Sequence, residues 1–228
     1  MHHYLTLLKK DLTQEFRTKE MLTSMGIYAL LVLVVFGAAL AQTASGFDIL
    51  QMSGGLLWVL IVFTSLLGLN RSFAHEKENG CLEGVLLIPL DRSVIFLAKA
   101  TSNLLFLFAV EAVTVPLFYF FFLTTTTPAA SFWMIVAPLI VGTVGIAGIG
   151  TLLSTITINT RGRDVMLAVL FIPLVYPLLY ACVSATTAAI IGSEGFMDVF
   201  APALLLAGGY DIIMVLLSWV LYDFVISA

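Results

Sequence analysis

Charged residues are scarce in this sequence. Only 11% of its 228 residues are Asp, Glu, Lys or Arg, whereas about a quarter of an ordinary soluble domain is charged. Since 61% of the residues are apolar, the shortage of charge argues against a soluble fold with a large core. The formal charge of −4 also argues against nucleic acid as a partner.

Cysteine is rare as well. Cys81 falls in a polar stretch and Cys182 falls within an apolar run. Two thiols in such different surroundings are a poor disulfide pair, because a disulfide needs closely placed Cα atoms. We therefore expect no disulfide and two unremarkable free cysteines.

The apolar residues do not alternate over short segments as the strands of a membrane β-barrel do. They form runs that reach the roughly 20 residues an α-helix needs to cross the hydrocarbon. Because a helix satisfies its own backbone in lipid, the sequence predicts an all-α polytopic membrane protein. Six spans are predicted, at about residues 22–41, 52–70, 94–122, 132–157, 165–191 and 203–224.

The basic residues predict the orientation of these spans. The connections on one face carry Asp48, Glu194 and Asp198 and contain no Lys or Arg. By the positive-inside rule, the N-terminus, the 71–93 loop and the 159–164 turn are cytoplasmic, and an even number of spans places the C-terminus there too. All ten basic residues lie on this face: Lys9, Lys10, Arg17, Lys19, Arg71, Lys77, Arg92, Lys99, Arg161 and Arg163.

Residues 1–20 have the pattern of an amphipathic helix. Leu5, Leu8, Leu12 and Phe16 recur at spacings of three and four, and basic residues cover the other face. This pattern predicts a helix lying in the membrane interface, apolar side down. A soluble cytoplasmic arm is the alternative. No small-residue cleavage site stands where a signal peptide requires one, so we expect the segment to be retained.

Small residues and prolines mark two of the spans. Gly142, Gly145 and Gly148 recur every third residue, which predicts a seam where other helices approach closely. Pro173 and Pro177 each lack a backbone donor, which predicts a fifth span kinked or broken near its middle.

Two acids lie inside predicted spans. Glu111 is at mid-depth in the third span, and Asp211 is about two turns into the sixth from the outer face. An acid facing lipid is costly, so we expect both to point into the bundle. A functional site and a neutral, hydrogen-bonded structural role both remain open for them.

The most polar stretch, HEKENGCLEGVLLIPLDR at 75–92, connects the second and third spans. After Asn79, apolar residues recur at i, i+3 and i+4 until Pro89, which predicts a short amphipathic cytoplasmic helix. A helix of this kind suits docking on a separate subunit. The expected coupling residues are Glu76, Glu78, Gly80, Leu82, Glu83, Val85 and Leu86.

The segment from 73 to 99, with Glu76, Gly80, Glu83 and Lys99, resembles the same connection in ABC-2 type exporters. In that superfamily this connection contacts a separate ATPase subunit. The resemblance implies a single ABC-2 type transmembrane domain over 1–228. It also implies a permease that is itself non-catalytic, with ATP and Mg²⁺ bound by the partner.

The segment NTRGRDVMLAVLFIPLVYPLLYA, with Pro173 and Pro177, resembles the CcmB family of haem exporter subunits of cytochrome c maturation. The likeness extends to the order of the six spans and the overall length. It implies a homodimer in the bacterial inner membrane that works with the ATPase CcmA, and with CcmC, CcmD and CcmE. The implied activity is haem export, or release of the haem-loaded chaperone.

The residues themselves predict no tight haem ligation. Haem iron takes an axial His, Cys, Met or Tyr, and the three histidines, His2, His3 and His75, all lie outside the predicted spans. Methionines within spans usually serve packing. We therefore expect no metal site and no tightly bound cofactor, with haem as a transported species.

Two other interpretations stay open. An ABC-2 permease could export another lipophilic substrate, and an ion-coupled carrier or an intramembrane enzyme belongs to a different class. A carrier usually has an internal repeat with matched broken helices, whereas only the fifth span has paired prolines. An enzyme needs a constellation of reactive side chains inside the bundle, and no predicted span offers one.

Overall fold

The computed structural model describes residues 2–41, 49–78, 92–123, 132–158, 160 and 162–227. These ranges contain seven helices and no strand, which confirms the all-α prediction. The helices are α1 (His2–Thr18), α2 (Glu20–Ala41), α3 (Ile49–Glu78), α4 (Arg92–Phe122), α5 (Phe132–Thr157), α6 (Arg163–Ile191) and α7 (Met197–Ser227).

Helices α2 to α7 are each long and apolar enough to span a membrane, so the six predicted spans are confirmed. Their ends differ from the prediction by a few residues. The largest shifts are at α3, which ends at Glu78 and not near 70, and at α7, which begins at Met197 and not near 203. Asp211 therefore lies about four turns from the start of its helix, close to mid-depth.

Helix α5 is the centre of the bundle. It packs against α3, α4, α6 and α7. Of the residues in its most apolar 18-residue segment, 72% are buried, compared with 17% in the corresponding segments of α2 and α7. Its sequence explains this position, because its small residues let neighbours approach on several sides.

The predicted glycine seam is confirmed. A Cβ placed on Gly142 would overlap the ring of Trp58 on α3, and one on Gly145 would overlap the carboxyl of Asp211 on α7. A Cβ on Gly148 would lie 2.8 Å from the side chain of Val215, also on α7. The first glycine of the seam therefore contacts α3, and the next two contact α7.

The prolines of α6 do not break it. The helix runs continuously from Arg163 to Ile191 with Pro173 and Pro177 inside. Transmembrane helices tolerate proline where neighbouring groups satisfy the freed backbone. The hydroxyl of Tyr210 on α7 donates to the carbonyl of Leu174, within this proline segment.

Helix α1 is joined to α2 by a sharp turn at Lys19, whose φ of 53° is left-handed. The Glu15 carboxylate accepts a hydrogen bond from the backbone N–H of Leu22 at 2.8 Å. Since the first N–H groups of a helix have no partner within it, Glu15 caps α2 and holds the angle between the two helices.

Candidate functional site

Two hydrogen bonds between buried polar side chains join α4 to α5. The Thr143 hydroxyl donates to Glu111 Oε1 at 2.7 Å, and Asn103 Nδ2 donates to Thr151 Oγ1 at 2.9 Å. On α4, Glu111 lies eight positions after Asn103, and on α5, Thr143 lies eight positions before Thr151. Because the two helices are antiparallel, a single packing register forms both hydrogen bonds. Glu111 is only 9% exposed, as predicted for an acid that points into the bundle.

Asp211 lies on the other side of α5. It is 6% exposed, and its carboxyl rests against the backbone of Gly145. Apart from its contact with the Gly145 backbone, Oδ1 has no hydrogen-bond partner among the residues that the structure describes. Asp211 also points into the bundle. Unlike Oε1 of Glu111, its Oδ1 accepts no hydrogen bond from a hydroxyl of the described residues.

The two acids flank one helix at a similar depth. Glu111 meets Thr143, and Asp211 meets Gly145, two positions further along α5. Side chains two positions apart point about 200° apart around a helix axis, so the two carboxyls contact nearly opposite faces of α5. Any rotation or tilt of α5 therefore alters the surroundings of both acids together.

A hydrogen bond links α3 to α6 at the glycine seam. Trp58 Nε1 donates to Thr186 Oγ1 at 3.0 Å, with both side chains buried. The Trp58 ring occupies the space opposite Gly142. Neither Trp58 nor Thr186 was singled out from the sequence, although a Trp and a Thr within apolar runs are residues that need a partner when buried.

Three of the basic residues, Arg71, Lys99 and Arg163, meet at one end of the bundle, here called the basic end. A cavity of about 520 Å³ there is lined by residues of α1, α2, α3, α4 and α6. Asp11 on α1 pairs with Lys99 on α4 at 3.4 Å, and Glu20 on α2 pairs with Arg71 on α3 at 2.5 Å. The first pair is nearly buried and the second is exposed.

The predicted coupling residues fall at and beyond the end of α3, next to the basic end. Glu76 and Glu78 belong to the last turns of α3. The remaining ones lie outside the described residues: Gly80, Leu82, Glu83, Val85 and Leu86. Their role as coupling residues stays a prediction, as does a kink at Pro173 and Pro177.

Within the described ranges, no three metal-ligating side chains come together. Cys182 is a free, buried thiol, and Cys81 lies outside the described residues. Three hydrogen bonds between buried side chains instead join neighbouring helices: Trp58 to Thr186, Asn103 to Thr151, and Thr143 to Glu111.

Comparison with known proteins identifies the family. The profile of the CcmB protein family matches residues 2–226. The chain belongs to the CcmB family. This match covers all six spans, so the family resemblance of the sequence is confirmed.

Individual CcmB relatives agree over most of the chain. Heme exporter protein B of Pseudomonas aeruginosa is 27% identical over 187 residues, which cover 82% of this chain and 81% of the relative. The protein of the same name from Paracoccus denitrificans is 28% identical and covers 77% of this chain and 78% of the relative. That of Haemophilus influenzae is 24% identical, with 82% of each chain covered.

Proposed function

We propose that this CcmB-family chain is the transmembrane subunit of an ABC transporter for cytochrome c maturation. It couples ATP hydrolysis by a separate ATPase to haem export or to release of the haem-loaded chaperone. The family match over residues 2–226 carries this proposal, and the names of the relatives, heme exporter protein B, supply the cargo.

The basic end gives the coupling a physical route. The 71–93 connection begins in α3 and leads into α4, and ion pairs tie these two helices to α2 and α1. A force applied to the connection therefore acts on four helices at once. Because α5 packs directly against α3 and α4, the same force reaches the centre of the bundle.

The partners follow from the same proposal. The ATPase is CcmA, which binds ATP and Mg²⁺, and the permease forms a homodimer that associates with CcmC, CcmD and CcmE. The permease performs no catalysis and holds no tightly bound cofactor, with haem as the transported species. It resides in the bacterial inner membrane with both termini in the cytoplasm, since the basic residues gather at one end.

A charge reversal tests the coupling. Changing Glu76, at the end of α3, and Glu83, in the predicted docking helix, together to Lys reverses two charges of the proposed docking connection, and mispaired charges across an interface are costly. We expect several-fold less ATPase to co-purify with the full-length chain and c-type cytochromes to fall in parallel, with the amount of chain in the membrane unchanged.

The Glu194→Lys and Asp198→Lys double variant is the matched control, because it makes two charge reversals at exposed residues of the opposite end. It should leave ATPase recovery at the wild-type level. Full recovery of the ATPase with the Glu76→Lys and Glu83→Lys double variant would show that this connection does not dock the partner.

A further inference from the structure

Asp211 is a buried acidic side chain that the proposed function leaves unused. Its surroundings are the Gly145 backbone and Leu178, whose Cδ2 lies 2.5 Å from the position of a Gly145 Cβ. The side chain is more than nine-tenths buried, and beyond the Gly145 backbone its Oδ1 has no hydrogen-bond partner in the described ranges. Such an environment does not compensate a negative charge.

The titratable groups that face Asp211 do not supply a positive charge. Helix α5 has no titratable side chain in its sequence. Cys182 on α6 and Tyr210 on α7 lie close enough to interact with the carboxyl, and both are neutral groups that ionise to anions. Glu111 contacts the far side of α5.

A lone carboxylate in apolar surroundings is strongly disfavoured, and the usual outcome is that it takes up a proton. Glu111 differs because Thr143 is its partner, while the Thr143 hydroxyl also lies 2.8 Å from the Leu139 carbonyl. One hydroxyl proton cannot serve both acceptors at once, and a protonated Glu111 would resolve this by donating to Thr143. For Asp211, no hydroxyl of a described residue is such a partner.

We propose that Asp211 is a proton-binding site. The carboxyl holds a proton while α5, α6 and α7 are packed as in this structure, and it releases that proton to water when Asp211 is displaced from Gly145. The proposal goes beyond the haem transporter function and does not depend on it, because it concerns one carboxyl and the packing of three helices.

Two measurements on the full-length chain in phospholipid vesicles test proton binding. The infrared spectrum of the wild type should contain a carbonyl band of a protonated carboxyl that is lost in Asp211→Asn. Dicyclohexylcarbodiimide, an apolar reagent that adds to protonated carboxyls, should label Asp211, as detected by peptide mass spectrometry. Glu111→Gln should leave the labelling of Asp211 unchanged.

Gly145→Ala tests proton release. Its Cβ displaces the carboxyl, so the Asp211 band and label should disappear at a lower pH than in the wild type. Absence of label on Asp211 at every pH would overturn proton binding. A band and label that respond to pH identically in the wild type and in folded Gly145→Ala would overturn release by displacement. None of these readouts requires ATPase or haem.

Discussion

At the scale of single residues, Gly145 decides where Asp211 can lie. A glycine has no Cβ, and the carboxyl of Asp211 fills the space that a Cβ would occupy on α5. The glycine is needed here for close approach and not for an unusual backbone angle, since it lies inside a regular helix.

Gly145→Ala should therefore destabilise the protein. The new methyl group overlaps the Asp211 carboxyl and crowds Leu178, and overpacking a well-packed core costs about 1–3 kcal/mol. The measurement is reversible unfolding of the full chain in mild detergent, with helicity followed by circular dichroism.

Gly209→Ala is the matched control, because a Cβ at Gly209 meets nothing within 4 Å. It should be neutral or slightly stabilising, since alanine is favoured over glycine in helices by up to about 1 kcal/mol. Equal stability of the two variants would contradict the close contact between α5 and α7.

At the scale of elements, α1 is docked against α4 in addition to having an amphipathic pattern. The Tyr4 hydroxyl donates to Thr101 Oγ1 on α4 at 3.0 Å, and Asp11 pairs with Lys99 on the same helix. Leu5 and Phe16, two of the four predicted apolar residues, stay exposed and are free to meet lipid. The helix thus combines a polar contact with α4 and an apolar surface of its own.

Lys99→Met should loosen α1. The Lys99–Asp11 pair is about 90% buried on both sides, and removing one partner of a buried pair costs up to about 3–5 kcal/mol. The cost here is smaller because Asp11 also pairs with Lys10, 3.3 Å away. Hydrogen exchange of the α1 amides should become several-fold faster, as measured by mass spectrometry.

Arg71→Met is the comparison, since the Arg71–Glu20 pair is exposed and exposed pairs contribute at most about 1 kcal/mol. It should change the exchange of α1 little. If both variants accelerated exchange equally, the buried pair would not be what holds α1 in place.

At the scale of the whole molecule, the charge distribution defines two different ends. The basic end has ion pairs and a cavity of about 520 Å³. The other end has two exposed acids, Glu194 in the turn between α6 and α7 and Asp198 in the first turn of α7. Because cytoplasmic loops of membrane proteins carry the excess of Lys and Arg, the basic end is expected to face the cytoplasm.

Reporter fusions test this orientation. Alkaline phosphatase fused after Ala228 should be inactive and green fluorescent protein at the same position should fluoresce, since the first needs export and the second does not fluoresce after unfolded export. Phosphatase fused after Glu194 should be active. The reverse pattern of activity would invert the molecule and remove the basis for an ATPase at the basic end.

Much of this architecture could be predicted because the bilayer imposes it. The six spans were confirmed, with ends shifted by a few residues, since a span needs about 20 apolar residues whatever its neighbours are. The burial of Glu111 and Asp211 was predictable for the same reason, because lipid penalises a carboxyl. The sequence also predicted the glycine seam, but it did not show which helix each glycine would contact.

The amino-acid sequence by itself determined the helical class, the number of spans and the gathering of basic residues on one side, because each depends on the composition of short segments in contact with lipid or water. Only the tertiary structure decided that Glu111 meets Thr143 whereas Asp211 meets the backbone of Gly145. The reason is physical: a partner for a buried polar group is set by the packing register of two helices, to which residues far apart in the chain contribute.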